Sequence, residues 1–251
     1  MFGPVSRRLS TVACVVVSCL SDSPGAAASG SVHLKGIPAV SPPVMIVIGF
    51  AGGFVAHDAA IHGEVRLSQR LSASYAGLHV RMFENRRGQE AFQEIRRLLD
   101  ADHDGALSPQ EKSRARIAIY GHSWGASETV TLARALARDL IPVQLTVQVD
   151  SVQKPGEDDA VIPPNVLQAV NFYQSDGLLH GRSQIRAADA SSTRILGNFQ
   201  CHYKAKPVSC EGYPWFARIF MRPHIEIEAD ASVWQRVETL IRSALLLEPE
   251  K

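Results

Sequence analysis

The stretch that most constrains this chain is the pentapeptide Gly121-His122-Ser123-Trp124-Gly125, a serine between two glycines at the junction of two patterns. Arg116-Ile117-Ala118-Ile119-Tyr120 before it reads as a buried strand, and Ala126 to Leu136 after it reads as a helix. A strand that turns into a helix over so few residues strains the backbone of the central residue. It also holds that side chain exposed at the top of a sheet, above the helix N-terminus. The glycines are what such a turn requires, because a side chain at either flank would clash with the adjacent strand or helix. G-x-S-x-G alone is common by chance; the strand and helix around it give it meaning.

From Pro42 onward, strand and helix patterns alternate. Val44 to Phe50 is a continuous apolar run of strand length, as expected of a strand buried on both faces. Glu64 to Leu71 reads as helix, Leu78 to Phe83 as strand, and Gln89 to Leu99 as helix. Beyond the serine, Gln144 to Val149 reads as strand, followed by a Pro/Gly/Asp-rich excursion to Asn165. Ala169 to Gln174 is the next expected strand and Ala217 to Met221 the last, and an amphipathic helix from about Ser232 to Leu247 closes the chain. The alternation predicts a single α/β domain, a mostly parallel sheet flanked by helices on both faces. With 251 residues, 45% hydrophobic content and a net charge of +1, the chain can bury a sizeable core, and it carries no basic stripe of the kind that binds nucleic acid.

The first 28 residues read as an export signal. Arg7 and Arg8 precede an apolar run from Leu9 to Leu20, too short to span a bilayer, and small residues follow at Gly25-Ala26-Ala27-Ala28-Ser29. Cleavage near Ala28 would release residues 29–251 to the periplasm or the exterior. Val16-Val17-Ser18-Cys19 loosely resembles a bacterial lipobox without its usual leucine, and membrane anchoring follows only if Cys19 is lipidated. In an oxidising compartment, Cys201 and Cys210 are expected to close a short loop as a disulfide. His202 beside Cys201 lacks further ligands at zinc spacing.

A second motif is independent of the first. Asp100-Ala101-Asp102-His103-Asp104-Gly105-Ala106-Leu107-Ser108-Pro109-Gln110-Glu111 places carboxylates at positions one, three, five and twelve and a glycine at position six, the pattern of an EF-hand calcium loop. Asp100, Asp102, Asp104, the carbonyl of Ala106, Ser108 and a bidentate Glu111 are the expected ligands, and Leu107 is expected to pack inward. The helix after the loop is cut short by the coming strand, so the reading is one structural calcium loop inserted in another fold.

The strand, glycine-rich turn, serine, and then acid and histidine in that chain order resemble the α/β-hydrolase superfamily. The likeness runs from about Pro42 to the C-terminus and is nearest to lipase- and esterase-like serine hydrolases. It implies Ser123 as nucleophile, His224 as base in the loop after the last strand, and an aspartate that orients the base. Two aspartates compete. Asp150 closes the strand after the serine-bearing helix, as in the lipase-like group, whereas Asp176 follows the next strand in Ser175-Asp176-Gly177, which is also ordinary turn chemistry. The resemblance and the strand-end placement favour Asp150. Oxyanion donors are expected at the backbone N–H of Trp124 and, by alignment of Gly49-Phe50-Ala51-Gly52-Gly53 with a His-Gly-X-Gly element, of Ala51. Gly49 stands where that element has its histidine. The His122 ring is expected to point away from the serine.

These readings converge on an exported serine hydrolase of small-molecule or lipid esters, thioesters included, with calcium and no organic cofactor. Ser151 to Asn165 and Gly177 to Pro214 are the expected rim of its site, and Trp124, Phe50, Phe54, Tyr213 and Trp215 the candidate apolar lining. The alternatives are a non-catalytic calcium-binding domain that keeps the fold, and an acyltransferase with the same triad.

Overall fold

A computed structural model describes residues 42–246. The export-signal reading, with Cys14 and Cys19, lies outside the described residues. In chain order the elements are β1 (Val44–Ala51), α1 (Gly63–Ser74), β2 (Leu78–Glu84), α2 (Gly88–Leu99), α3 (Pro109–Ser113), β3 (Ala115–His122), α4 (Trp124–Arg138) and β4 (Val143–Val149). They continue as β5 (Val161–Ile162), β6 (Val166–Tyr173), β7 (Arg186–Ala187), β8 (Arg194–Gln200), α5 (Trp215–Phe220), α6 (Arg222–Ala229) and α7 (Ala231–Leu245).

Six strands form one sheet in the order β2-β1-β3-β4-β6-β8, and every neighbouring pair is parallel. The short β5 and β7 pair separately, also in parallel. Side chains alternate across a strand, so each central strand serves two cores. Ile46, Ile48, Ile117 and Ile119 pack on one face against Ala91, Ile95 and Leu99 of α2 and Val130, Ala133 and Leu136 of α4. Val47, Ala118, Tyr120, Leu145 and Val147 pack on the other against Leu67 and Leu71 of α1 and Val233, Trp234, Val237 and Ile241 of α7. Leu107, inside the acidic loop, packs on the first of these cores.

Two expectations are corrected. Ala217 to Met221 is not the last strand but falls almost wholly within helix α5. Only Ala217 of that helix is buried, while Trp215, Phe216, Ile219 and Phe220 are exposed, so its apolar run faces outward rather than into a sheet. The last strand is β8, inside the segment assigned to the rim. It is a half-buried edge strand with a register irregularity against β6 between Ala169 and Val170, and it contains Gly197 and Asn198, so its alternation is weak.

The expected disulfide is also corrected, since Cys201 and Cys210 are both free thiols. Each sulfur belongs to a different apolar cluster: Cys201 lies at the margin of the β4/α7 core, and Cys210 packs with Tyr213, Ala217 and Ile225. Burial raises both thiols above their usual range, Cys210 to about 11, which keeps them in the protonated, unreactive form.

Trp234 ties α7 to the rest of the molecule. Its indole N–H donates to the carbonyl of Glu228 at 2.6 Å, and its ring meets Tyr120 edge-on at 6.2 Å between centroids. Trp234→Ala leaves a large void and an unpaired carbonyl. It is expected to cost about 3–5 kcal/mol in urea unfolding, within the range for buried Trp or Phe truncations.

Candidate active site

Ser123 sits between β3 and α4 at φ 54°, ψ −124°, a left-handed conformation that a residue with a Cβ adopts only under constraint. Its N–H donates to the carbonyl of Val149 at 3.0 Å, and its own carbonyl accepts from Ala126 N–H at 3.0 Å. The flanking glycines are required by close approach. A Cβ on Gly121 would lie 2.4 Å from the carbonyl oxygen of Gly125, and one on Gly125 would lie 2.3 Å from that of Phe50. An all-parallel sheet with this elbow at the end of a central strand is the α/β-hydrolase architecture.

The structure brings Ser123, His224 and Asp150 together. The His224 ring places Nε2 3.0 Å from Ser123 Oγ and Nδ1 2.7 Å from Asp150 Oδ2. A carboxylate only accepts, so Nδ1 carries the hydrogen and Nε2 is left to accept from the serine hydroxyl. Asp150 and His224 are fully or almost fully buried, and Ser123 is 9% exposed. His224 is not in a loop, as expected from the sequence, but in the first turn of α6, whose start is set by Pro223.

Asp150 is held from several sides. Its Oδ1 accepts from the N–H of Gln174 at 3.1 Å and of Gly181 at 2.8 Å, and its Oδ2 accepts from Gln174 Nε2 at 2.8 Å. Neither Gln174 nor Gly181 was singled out from the sequence; the one available signal was a glutamine at the end of the strand beside Asp150's own. Asp176 does not reach His224. It accepts from Tyr203 N–H at 2.9 Å and faces Lys204 Nζ at 3.7 Å, and the Tyr203 bond foremost holds its carboxyl below the usual range.

Trp124 opens α4, so its N–H lies in the turn where helical amides have no intrahelical partner. Ala51 ends β1 and is fully buried, and the next residues, Gly52 and Gly53, border the cavity. Gly52 N–H is engaged by Glu64 Oε1 at 3.3 Å. At Gly49 a Cβ would lie 2.5 Å from Met82 Sδ and 2.7 Å from the Tyr120 ring, so those side chains fill the space that a histidine there would need.

The cavity above Ser123 measures about 670 Å³ and is lined mainly by apolar groups. Phe54, Trp124 and Tyr213 line it as expected, but Phe50 is wholly in the core and Trp215 stands outside, exposed against Phe216. The rim is only in part the one expected. Val152, Leu179, Tyr213 and Pro214 come from the expected segments, and the rest comes largely from the loop after β1 (Gly52 to His62) and from Phe216 to Met221.

His122 does not point away. Its ring packs against that of His224, tilted by 35° with 4.6 Å between centroids, and its Nε2 lies 3.2 Å from the His224 carbonyl. Burial first, then the neighbouring His224, pushes its pKa well below the usual histidine value, so the ring is neutral. Around it stand His62, Glu64 and Glu228, none of them singled out from the sequence. Burial raises both carboxyls to about 8, Glu228 adding to the effect on Glu64.

In the acidic loop, Asp100, Asp102 and Asp104 converge with carboxylate oxygens within 4.8 Å of one another. His103 and Gly105 take left-handed conformations, φ 60° and 83°. Glu111 caps α3: its Oε2 accepts from Ser108 N–H and Oγ, and its Oε1 accepts from Ala101 N–H at 2.7 Å. Those bonds hold its carboxyl near 2. Asp100 Oδ1 is buried without any hydrogen-bond partner.

No protein-family model and no curated protein matches the chain. Among solved structures, the chain is similar to a cutinase-like protein from Cryptococcus sp., at 13% identity over 81% of this chain and 95% of that one, TM-score 0.43. It is also similar to a thermostable esterase from Pseudomonas putida, at 10% identity over 84% and 77%, TM-score 0.41. A third likeness is to the RedJ thioesterase of the prodiginine pathway in Streptomyces coelicolor, at 11% identity over 84% and 98%, TM-score 0.40.

The bonds around Asp150 make a testable distinction. Gln174→Leu removes a side-chain donor to a buried carboxylate, a loss of about 1.5–3 kcal/mol. It is expected to slow fluorophosphonate labelling of Ser123 by roughly ten- to a hundredfold, whereas Asp176→Asn leaves the labelling rate within about twofold of wild type.

Proposed function

We propose that this chain is a serine hydrolase of carboxylic esters with an apolar acyl or alcohol part. The hydrogen-bonded line Ser123–His224–Asp150, opening into an apolar cavity, is the observation that supports the reading. Ser123 Oγ attacks the ester carbonyl carbon as its proton passes to His224 Nε2, and Asp150 holds the ring in the productive tautomer and stabilises the imidazolium. The negative charge moves to the carbonyl oxygen. It is met there by the Trp124 N–H and by an amide of the Ala51–Gly53 turn, each such donor worth about 3–4 kcal/mol.

The C–O bond to the alcohol then breaks as His224 returns the proton to the leaving oxygen. Water repeats the sequence on the acyl-enzyme, giving its proton to Nε2 and releasing the acid. Exposed Phe54 and Phe216, which line the cavity, favour an apolar ester over a charged one. A thioester reacts by the same steps, and an alcohol in place of water would make the same acyl-enzyme a transferase.

Intact-mass analysis after exposure to a fluorophosphonate tests the proposal. One adduct is expected on the wild type and none on Ser123→Ala. A folded wild-type protein that takes no adduct would instead support the non-catalytic domain.

Export through the N-terminal segment and calcium at Asp100–Glu111 belong to the same proposal. The buried, unpartnered Asp100 Oδ1 supports the calcium part, because such an oxygen is costly unless a cation meets it. Asp100, Asp102, Asp104, the Ala106 carbonyl, Ser108 and Glu111 would hold the ion, neutralising the acidic cluster ahead of β3. At calcium a hundredfold above its Kd, the gain is about 2.7 kcal/mol, or roughly 5–10 °C in melting temperature for a domain of this size. The shift is expected to vanish in chelator and in Asp104→Asn; an unchanged melting temperature in excess chelator overturns it.

A further inference from the structure

Beside the hydrogen-bonded line lies a group of ligand-type side chains that the proposed hydrolysis does not use. His62 precedes α1, Glu64 stands in its first turn, Glu228 lies on α6 one turn beyond His224, and His122 ends β3. One ligand atom from each of His62, Glu64 and Glu228 lies within 4.8 Å of the others. Glu64 and Glu228 are 0% and 3% exposed. Among the described residues neither carboxylate has a lysine or arginine partner. Arg66, the cation closest in sequence, spends its guanidinium on the carbonyls of Ala60 and Ile61.

Two details call for a cation. Glu64 Oε1 accepts from Gly52 N–H, but Oε2, on a fully buried side chain, has no partner. The second is a tautomer argument. His122 Nε2 lies beside the His224 carbonyl, which only accepts, so Nε2 must carry the hydrogen. Nδ1 is then a lone pair directed into the cluster, where Glu228 Oε2 lies 3.8 Å away.

We propose that His62, Glu64 and Glu228, with His122 Nδ1 adjoining, bind one divalent cation of the zinc class. Imidazole nitrogens mixed with carboxylate oxygens suit zinc, whereas calcium and magnesium prefer all-oxygen shells. Zinc holds its ligands at about 2.0–2.3 Å, which puts them roughly 3.4 Å apart. His62 Nδ1 and Glu228 Oε1 now share a hydrogen bond at 2.5 Å, so an ion would replace that bond as the two part by about 1 Å and the other ligand atoms, within 4.8 Å, draw in. His62, His122 and Glu228 border the cavity, so the ion has a path from solvent. A bound ion would tie the start of α1, which holds the Gly52 turn, to α6, which carries His224.

The test uses the full chain, stripped with chelator and returned to excess calcium so that the Asp100 loop is supplied. Cobalt(II) is titrated as a visible reporter and then displaced by zinc. One cobalt per chain with d–d bands of low-coordinate intensity is expected, abolished stoichiometrically by zinc. His62→Gln, near the cavity mouth, and Glu228→Gln are each expected to weaken cobalt affinity at least a hundredfold, while Asp104→Asn keeps it. Should Glu228→Gln fail to fold, His62→Gln alone decides the point. No visible band on folded wild type overturns the site, as does a band that survives His62→Gln or is lost in Asp104→Asn. Fluorophosphonate labelling, run in parallel, reads the hydrolase proposal separately.

Discussion

Everything at the candidate site depends on how closely β1, β3 and α4 approach at the serine. The carbonyl of Phe50 lies where a Cβ on Gly125 would be, and the carbonyl of Gly125 where one on Gly121 would be. Ser123 is thereby forced to φ 54°, and its backbone is pinned to β4 through Val149. Because β4 is the next strand over, the residue after Val149 is carried to the same end of the sheet, with its own N–H bonded to Phe172 of β6. Asp150 takes up a left-handed turn there, φ 45°, and its carboxylate meets the donors of Gln174 and Gly181 before it meets His224. The strain at the serine and the ordering of the acid are two results of one packing constraint.

The same end of the sheet concentrates a second kind of stress. Glu64, His122 and Glu228 are buried there and His62 half-buried, and two of them reach toward the line: Glu64 bonds the Gly52 turn, and His122 meets the carbonyl and ring of His224. Burying two carboxylates with no lysine or arginine beside them, and with only the His62 and His122 imidazoles facing Glu228, is among the costlier arrangements a fold can keep, and protonation or a cation relieves it. Hydrophobic clusters on both sheet faces, from α1 and α7 on one and α2 and α4 on the other, supply the rigidity against which that cost is borne.

What the sequence disclosed follows the range of the forces involved. The doubly buried strands β1 and β3 were readable because a strand covered on both faces must be apolar throughout, and the elbow because its glycines and serine are five consecutive residues. Helix α5 was misread because Ile219 and Phe220 are apolar yet exposed, outside any core, and a short apolar run looks alike in a strand or a helix. β8 was invisible because a half-covered edge strand needs no strong pattern. Cys201 and Cys210 invited pairing by proximity in sequence, whereas separate apolar clusters claim each sulfur. Gln174, Gly181, Glu64 and Glu228 act through contacts tens of residues away, or more than a hundred, and no local pattern encodes those.

The misread helix also explains how a cavity of this kind stays open. Apolar residues normally close on one another, yet Ala217 alone of α5 is buried while its bulky neighbours stand outward. The helix is anchored by its small residue to the cluster of Cys210, Tyr213 and Ile225, directly ahead of the α6 turn that carries His224. The lining residues Phe216 and Ala217 are thereby seated on the element adjoining the histidine, in the same cavity as Ser123. The exposure of Phe216, at least, is therefore a property of the cavity rather than a defect of the core.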